Sequence, residues 1–245
     1  ITFLHCDYKK INANSKYNTE IYSQFDKIAA CSEGCRQSFL NLLPQFKDKT
    51  FTVENCHNYN KIRNSAKAEN ISLPSDKLNV VTVARFGKEK GVLRAIRAVS
   101  KLEKKYLFKY YIIGDGTEFE QAKALIDELK LSENVTLLGE KENPYGYIKA
   151  ADLLLITSYS EAAPMVIGEA ACLGVPVLST ETSSSEEMIV ATGYGFVCKN
   201  SQDGITQALE EIINNQSLIK EKSSFLNSQK FSNANALKQF SELVK

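Results

Sequence analysis

From residue 78 onward the chain alternates short unbroken apolar runs with stretches of helical period. Val80–Ala84, Tyr110–Ile113, Val135–Leu138, Leu153–Thr157 and Val175–Ser179 are the runs. A run without alternating polar positions predicts a strand covered on both faces. After Gly91, residues Val92, Leu93, Ile96, Val99 and Leu102 fall on one helical face, and Phe119, Ala122, Leu125, Ile126 and Leu129 do so after Gly116. Shorter helices are predicted over Tyr145–Ala151 and Pro164–Leu173, the second opened by a proline and stopped by Gly174. A last short strand at Phe196–Val197 and an amphipathic helix over Ile205–Ile213 complete the pattern. Strands alternating with helices make βαβ units, so residues 78–222 are expected to form one doubly wound α/β domain with a parallel sheet. Such sheets bind ligands at the carboxyl ends of their strands. Those ends carry Arg85, Gly114, Gly139, Ser158 and Thr180.

The first part is less regular. Residues 1–6 read as a strand and 7–20 as a polar loop. Tyr22, Phe25 and Ile28 recur at helical spacing and run into a short strand ending at Cys31. Ser32 is placed to cap a helix with Phe39, Leu42 and Leu43 on one face and Pro44 near its end. Thr50–Val53 is a further short strand, and the polar stretch 63–77 reads as a hinge or linker. A chain that opens on Ile1 within a strand-like run is expected to continue upstream.

Composition narrows the function. Thirty basic and 29 acidic side chains leave a net charge of +1, which argues against a nucleic-acid partner. No apolar run approaches the roughly 18 residues that span a bilayer, and the N-terminus lacks the pattern of a signal peptide. Six scattered cysteines include a Cys31-x3-Cys35 pair whose spacing is not that of a zinc site. Reduced thiols and no metal are expected.

The candidate chemistry lies at the strand ends. In Glu161-Ala-Ala-Pro-Met-Val-Ile-Gly-Glu169, the first carboxylate follows a strand and the second sits on the next helix, about 7 Å further along. A helix N-terminus between them favours an anion, and the carboxylates can accept hydrogen bonds from sugar hydroxyls. Alone, Glu161 could equally cap the helix and Glu169 be a solvated charge. Arg85 and Lys90 flank one loop and could grip a diphosphate, or simply be a solvated basic loop. Gly114-Asp115-Gly116 could make a tight turn beneath a ligand, although a lone G-x-G is usually only a turn.

The order of these pieces resembles the donor-binding domain of the group 1 (family 4) glycosyltransferases, which have the GT-B fold. The carriers run across 78–200: V-A-R-F-x3-K-G, Y-I-I-G-D-G, V-T-L-L-G, A-D-L-L-L-I-T-S, E-x7-E, G-V-P-V-L-S-T and G-Y-G-F-V. Residues 1–62 resemble the end of that family's acceptor-side domain, with His5-Cys6-Asp7, Ile28–Glu33 and Asn55 in the matching places. Residues 223–245 resemble its C-terminal helix, which crosses back to that domain.

The resemblance implies a Rossmann-like donor domain plus a partial second one, and a retaining transferase that moves a sugar from a nucleotide-sugar donor to a saccharide or lipid-linked acceptor in polysaccharide biosynthesis. It implies a UDP-sugar, with GDP-sugars open, and no separate cofactor. Arg85 and Lys90 should hold the diphosphate and Glu161 the donor sugar. Glu169 should take the ribose, the amides near Pro164, Met165 and Val166 the phosphates, and the backbone around Leu138, Gly139 and Lys141 the base, with Gly114 in the binding set as part of the turn beneath the ligand. A cytoplasmic location follows, with peripheral membrane association through a segment preceding this chain. Ala162 departs from the family's usual glycine, so the sugar pocket is expected to be reshaped. His5 is a candidate substrate contact and His57 a hinge residue. A UDP-amino-sugar epimerase and a non-catalytic nucleotide-sugar-binding module are the alternatives.

Overall fold

The computed structural model describes residues 1–8, 15–102 and 107–245. Three short parallel strands, β1 (Thr2–Leu4), β2 (Ile28–Ala30) and β3 (Thr50–Thr52), make a first sheet in the order β1-β2-β3. Helix α1 (Ser15–Ser23) precedes β2, and α2 (Glu33–Leu42) packs on the sheet. Ser32 caps α2 as its sequence predicts, its hydroxyl accepting from Cys35 N at 3.0 Å. Phe39 on this helix and Leu43 just past its end are buried, whereas Leu42 is exposed.

Two expectations fail in this part. The stretch 7–20 was expected to be a loop, yet α1 begins at Ser15; residues 9–14 lie outside the described residues. Helix α1 carries little apolar pattern and is anchored near its end by Tyr22, which packs edge-on against Tyr8, Phe39 and Phe46. The stretch 63–77 is not all linker either, because helix α3 (Tyr59–Ala68) occupies its start. Asn58 caps α3, and only Ile62 and Ala66, one turn apart, are buried against neighbouring helices. So narrow a stripe leaves a mostly polar helix that composition alone reads as a connector.

The second sheet has six parallel strands: β4 (Leu78–Val83), β5 (Phe108–Ile113), β6 (Val135–Gly139), β7 (Leu153–Ile156), β8 (Val177–Thr180) and β9 (Gly195–Cys198). Their spatial order is β6-β5-β4-β7-β8-β9. Helices α4 (Val92–Ser100), α5 (Phe119–Glu128) and α8 (Gln202–Asn214) cover one face. Helices α6 (Tyr145–Ala150) and α7 (Met165–Cys172), with a π-helical turn at Glu186–Val190, cover the other. Successive residues of each strand enter opposite layers, as for Val80 and Leu155 on one side and Val81 and Leu154 on the other. That explains the unbroken apolar runs.

Helix α9 (Ser217–Ser228) runs unbroken through the boundary expected at 222. Helix α10 (Ala234–Leu243) then returns to the first sheet, where Leu243 packs on Ala29 and Val53 and its carbonyl accepts from Lys27 Nζ at 2.6 Å. All six cysteines are free thiols. No described helix is long and apolar enough to cross a membrane.

Candidate functional site

The strand order places the candidate residues before any ligand is considered. The chain leaves β4 towards β5 and β6, then returns to build β7, β8 and β9 on the other side. Connections therefore diverge above β4 and β7, and a crevice opens at their carboxyl ends. A cleft of about 470 Å³ lies there. Its lining combines the end of β4 with Arg85 and Lys90, the end of β7 with Ser158 and Glu161, and the start of α7.

Two glycines let the strand ends approach. Gly91 has φ +65°, and a Cβ there would lie 2.3 Å from Thr157 O. Gly114, with φ +137°, would place a Cβ 1.9 Å from Ala84 O. Both positions accept glycine alone. The Thr157 hydroxyl donates to the carbonyls of Lys90 and Gly91 at 3.1 and 3.2 Å, which ties the Lys90 loop to the end of β7.

At the centre, Lys90 Nζ meets Glu161 Oε1 at 2.7 Å, and the Ser158 hydroxyl donates to the same oxygen at 2.5 Å. Only 11% of the Glu161 side chain is exposed, against 75% for Arg85, which pairs with Glu89 at 2.8 Å. The two basic residues thus differ: Lys90 is held in the cleft wall by Glu161, whereas Arg85 is exposed at the rim and paired with Glu89. Glu161 does not cap α7, since Pro164 occupies that position without a side-chain bond. The first amides of α7, from Met165 and Val166, belong to the turn that has no intrahelical acceptors, and both residues line the cleft.

Glu169 lies one turn deeper. Its Oε1 accepts from the Tyr145 hydroxyl at 3.4 Å. Burial pushes the Glu169 carboxyl above its ordinary 4.5, and the tyrosine opposes that shift only in part. The folded chain therefore holds this proton to higher pH than the unfolded chain does. Stability is expected to fall as pH rises through the window just above 4.5, and Glu169→Gln to remove that component. Denaturant midpoints of both proteins between pH 4 and 7 check this.

Seven of the expected site residues thus share one cleft: Arg85, Lys90, Glu161, Pro164, Met165, Val166 and Glu169. Gly114, Leu138, Gly139 and Lys141 do not line it. Gly114 N donates to Gly139 O at 2.9 Å, so this pair joins the ends of β5 and β6, and Lys141 is exposed beyond β6. His5 is exposed and stacks on Phe3. His57 is buried and bound at its backbone on both sides by Asn233, between β3 and α3.

Arg94 escaped the sequence reading. It is 6% exposed, donates to Thr157 O and Ser158 O, and lies 3.8 Å from the Tyr159 ring centre. A lone arginine on a helix gives no sign that it reaches a neighbouring strand end. Ser158 and Tyr145 were missed as carboxylate partners for the same reason.

Comparison with known proteins agrees with this architecture. The model of the family "Glycosyl transferases group 1" matches residues 64–229. Over 110 residues, 45% of this chain and 31% of the relative, the sequence is 37% identical to the lipopolysaccharide core biosynthesis glycosyltransferase LpsD of Rhizobium meliloti. It is 28% identical over 221 residues, 87% of this chain and 59% of the relative, to a Campylobacter jejuni diphospho-undecaprenol 4-alpha-N-acetylgalactosaminyltransferase. The chain thus spans about a third to three fifths of the length of these two curated relatives. The crystal structure of Anabaena HepE in complex with UDP and glucose superposes with a TM-score of 0.80 at 19% identity, over 99% of this chain and 70% of that one. A six-stranded sheet in doubly wound order, a cleft at its switch point and a family match over most of the chain agree: this is a member of the group 1 glycosyltransferases, with the GT-B fold.

Proposed function

We propose that the protein transfers a sugar, with retention, from a UDP-sugar to a saccharide or lipid-linked acceptor, and that the cleft above β4 and β7 binds the donor. The observation that carries this reading is the Lys90–Glu161–Ser158 cluster beside the start of α7. A cation and a helix N-terminus there match the diphosphate, and a carboxylate the sugar, the two parts of a nucleotide sugar that flank its breaking bond. The diphosphate takes Lys90 and the amides of Met165 and Val166, with Arg85 closing from the rim. Lys90 and Ser158 both hold Glu161 through Oε1, which leaves Oε2 to the donor-sugar hydroxyls. Glu169 accepts from the ribose diol, and the ends of β5 and β6 at Gly114, Leu138, Gly139 and Lys141 frame the nucleoside.

During transfer the bond from the sugar carbon to the diphosphate oxygen breaks. A new bond to the acceptor oxygen forms on the same face, and the acceptor proton passes to the departing phosphate. Charge accumulates on that phosphate, and fixed cations and amides stabilise it without reorganising. Names of relatives and neighbours favour this reading, among them the HepE complex with UDP and glucose and the transferase of a diphospho-undecaprenol acceptor. The lipid-linked acceptor goes with a cytoplasmic location at the membrane face.

The two carboxylates separate the parts of the donor. Glu169→Gln is expected to weaken UDP and UDP-sugars alike, since both carry the ribose. Glu161→Gln is expected to leave UDP binding intact and to remove the extra affinity or turnover that depends on the sugar. Each loss should be roughly tenfold, the scale of one charge-assisted hydrogen bond. Titration of both variants with UDP, several UDP-sugars and GDP as control tests it. Equal losses of UDP in the two variants overturn the division of roles.

A further inference from the structure

The segment 157–164, which carries Glu161, has no regular backbone pairing of its own. Side chains reaching in from elsewhere hold it. Three successive carbonyls are each taken by a different donor. Ser183 Oγ donates to Glu161 O at 2.8 Å, Ser32 Oγ to Ala162 O at 2.5 Å, and Asn55 Nδ2 to Ala163 O at 3.3 Å. Ser183 follows β8 in the six-stranded body. Ser32 and Asn55 belong to the three-stranded body, at the start of α2 and just beyond β3.

Packing repeats this division. The Ala162 side chain is buried among residues of the three-stranded body, with Leu4, Tyr8, Phe39 and Cys35 in the same cluster. A glycine there would have no methyl to insert. Ser32 is itself 3% exposed, and its hydroxyl also accepts from Cys35 N, so one oxygen caps α2 and grips the loop together. The two bodies are further clasped by Glu187, whose carboxylate oxygens accept from Glu33 N and Gly34 N at 2.9 Å each.

We propose that Ser32 and Asn55 are positioning residues for Glu161, so that recognition of the donor sugar depends on the docking of the two bodies while recognition of the nucleotide does not. This rests on the donor-site reading above. Glu169, Tyr145 and the body of α7 all belong to the six-stranded body, so the nucleotide end of the cleft is set without Ser32 or Asn55. The sugar end is not, because Glu161 rides on a segment whose two following carbonyls are held from across the interface.

The test measures the gain in affinity of a UDP-sugar over UDP by calorimetry. The panel is UDP-glucose, UDP-galactose and UDP-N-acetylglucosamine, and the full-length protein is used with Ser32→Ala, Asn55→Ala, Ser32→Thr and Glu161→Gln. Ser32→Ala and Asn55→Ala are each expected to reduce the gain roughly three- to tenfold, the scale of one hydrogen bond, and to leave UDP affinity within about twofold. Ser32→Thr, which keeps the hydroxyl, restores the gain. Asn55 caps no helix, so its variant still reads the effect if loss of the α2 cap unfolds Ser32→Ala. Loss of the gain in Glu161→Gln but in neither alanine variant overturns the positioning role and leaves the site reading standing. Equal weakening of UDP and UDP-sugar in the alanine variants overturns it too, because that is general loosening. If Glu161→Gln keeps the gain, or the wild type has none, the reading of Glu161 fails and this proposal with it.

Discussion

Lys90→Ala is expected to lower sugar transfer by about 10²–10³-fold, the cost of removing one preorganised charge stabiliser from a reacting centre. Three features make the effect large. The ammonium is fixed in place by Glu161 at 2.7 Å, with a quarter of its side chain exposed, so water replaces it poorly. It lines the same cleft as the start of α7, where its field would add to the helix dipole on the departing phosphate of the proposed donor. Its removal also leaves the Glu161 carboxylate held by the Ser158 hydroxyl, without the Lys90 cation between it and the proposed diphosphate. Affinity for UDP is expected to fall less than turnover, because the phosphate gains charge as the bond breaks. Arg85→Ala should do less, since Arg85 is 75% exposed and pairs with Glu89. Single-turnover kinetics with the full-length protein and the proposed UDP-sugar donor measure the step. A loss within about threefold removes Lys90 from the reacting centre.

Arg94→Met is expected to destabilise the protein by about 3 kcal/mol, with a fall in melting temperature of roughly 6–12 °C. Methionine keeps the buried stem and deletes the guanidinium. Thr157 O then loses its donor in the interior, while Ser158 O keeps Thr180 and Asn200. An orphaned buried carbonyl costs about 1–3 kcal/mol, and loss of the stacked cation on Tyr159 adds up to about 2 kcal/mol. The stem carries Arg94 to the end of β7, so the damage reaches Ser158 and the loop to Glu161. UDP-sugar binding should weaken even at temperatures where the variant stays folded. Calorimetric melting of wild type and variant decides it, and a shift below about 2 °C would mean that water replaces the guanidinium there.

The doubly wound sheet was legible because burial on both faces writes itself into sequence: apolar runs at Val80, Tyr110 and Leu153, each followed by a helical stripe. Helix ends were legible where one residue decides them, as Ser32 does for α2 and Gly91 for the start of α4. The E-x7-E pattern was also local, since helix geometry fixes the distance from the start of α7 to Glu169. Helix α1 was misplaced, because the helical spacing of Tyr22, Phe25 and Ile28 falls largely beyond its end at Ser23, and α3 was hidden because the two contacts that hold it make no period.

Partnership was decided by tertiary structure alone. Sequence placed Lys90 and Glu161 in separate loops, 71 positions apart, and gave no reason for them to touch. They meet because β4 and β7 are neighbours in a sheet whose order is not that of the chain. The same adjacency separates Lys90, fixed in the wall, from Arg85 at the rim, although both read from the sequence as equal members of one basic loop. Ala162 stood out in the sequence as a departure from the family's glycine, but its methyl acquires a reason only in the core of the other body. Local signals fix elements because their physics acts over a few residues. Which elements face each other, and so which charges are paired and which carbonyls are held, is set by long-range packing that no window of the sequence contains.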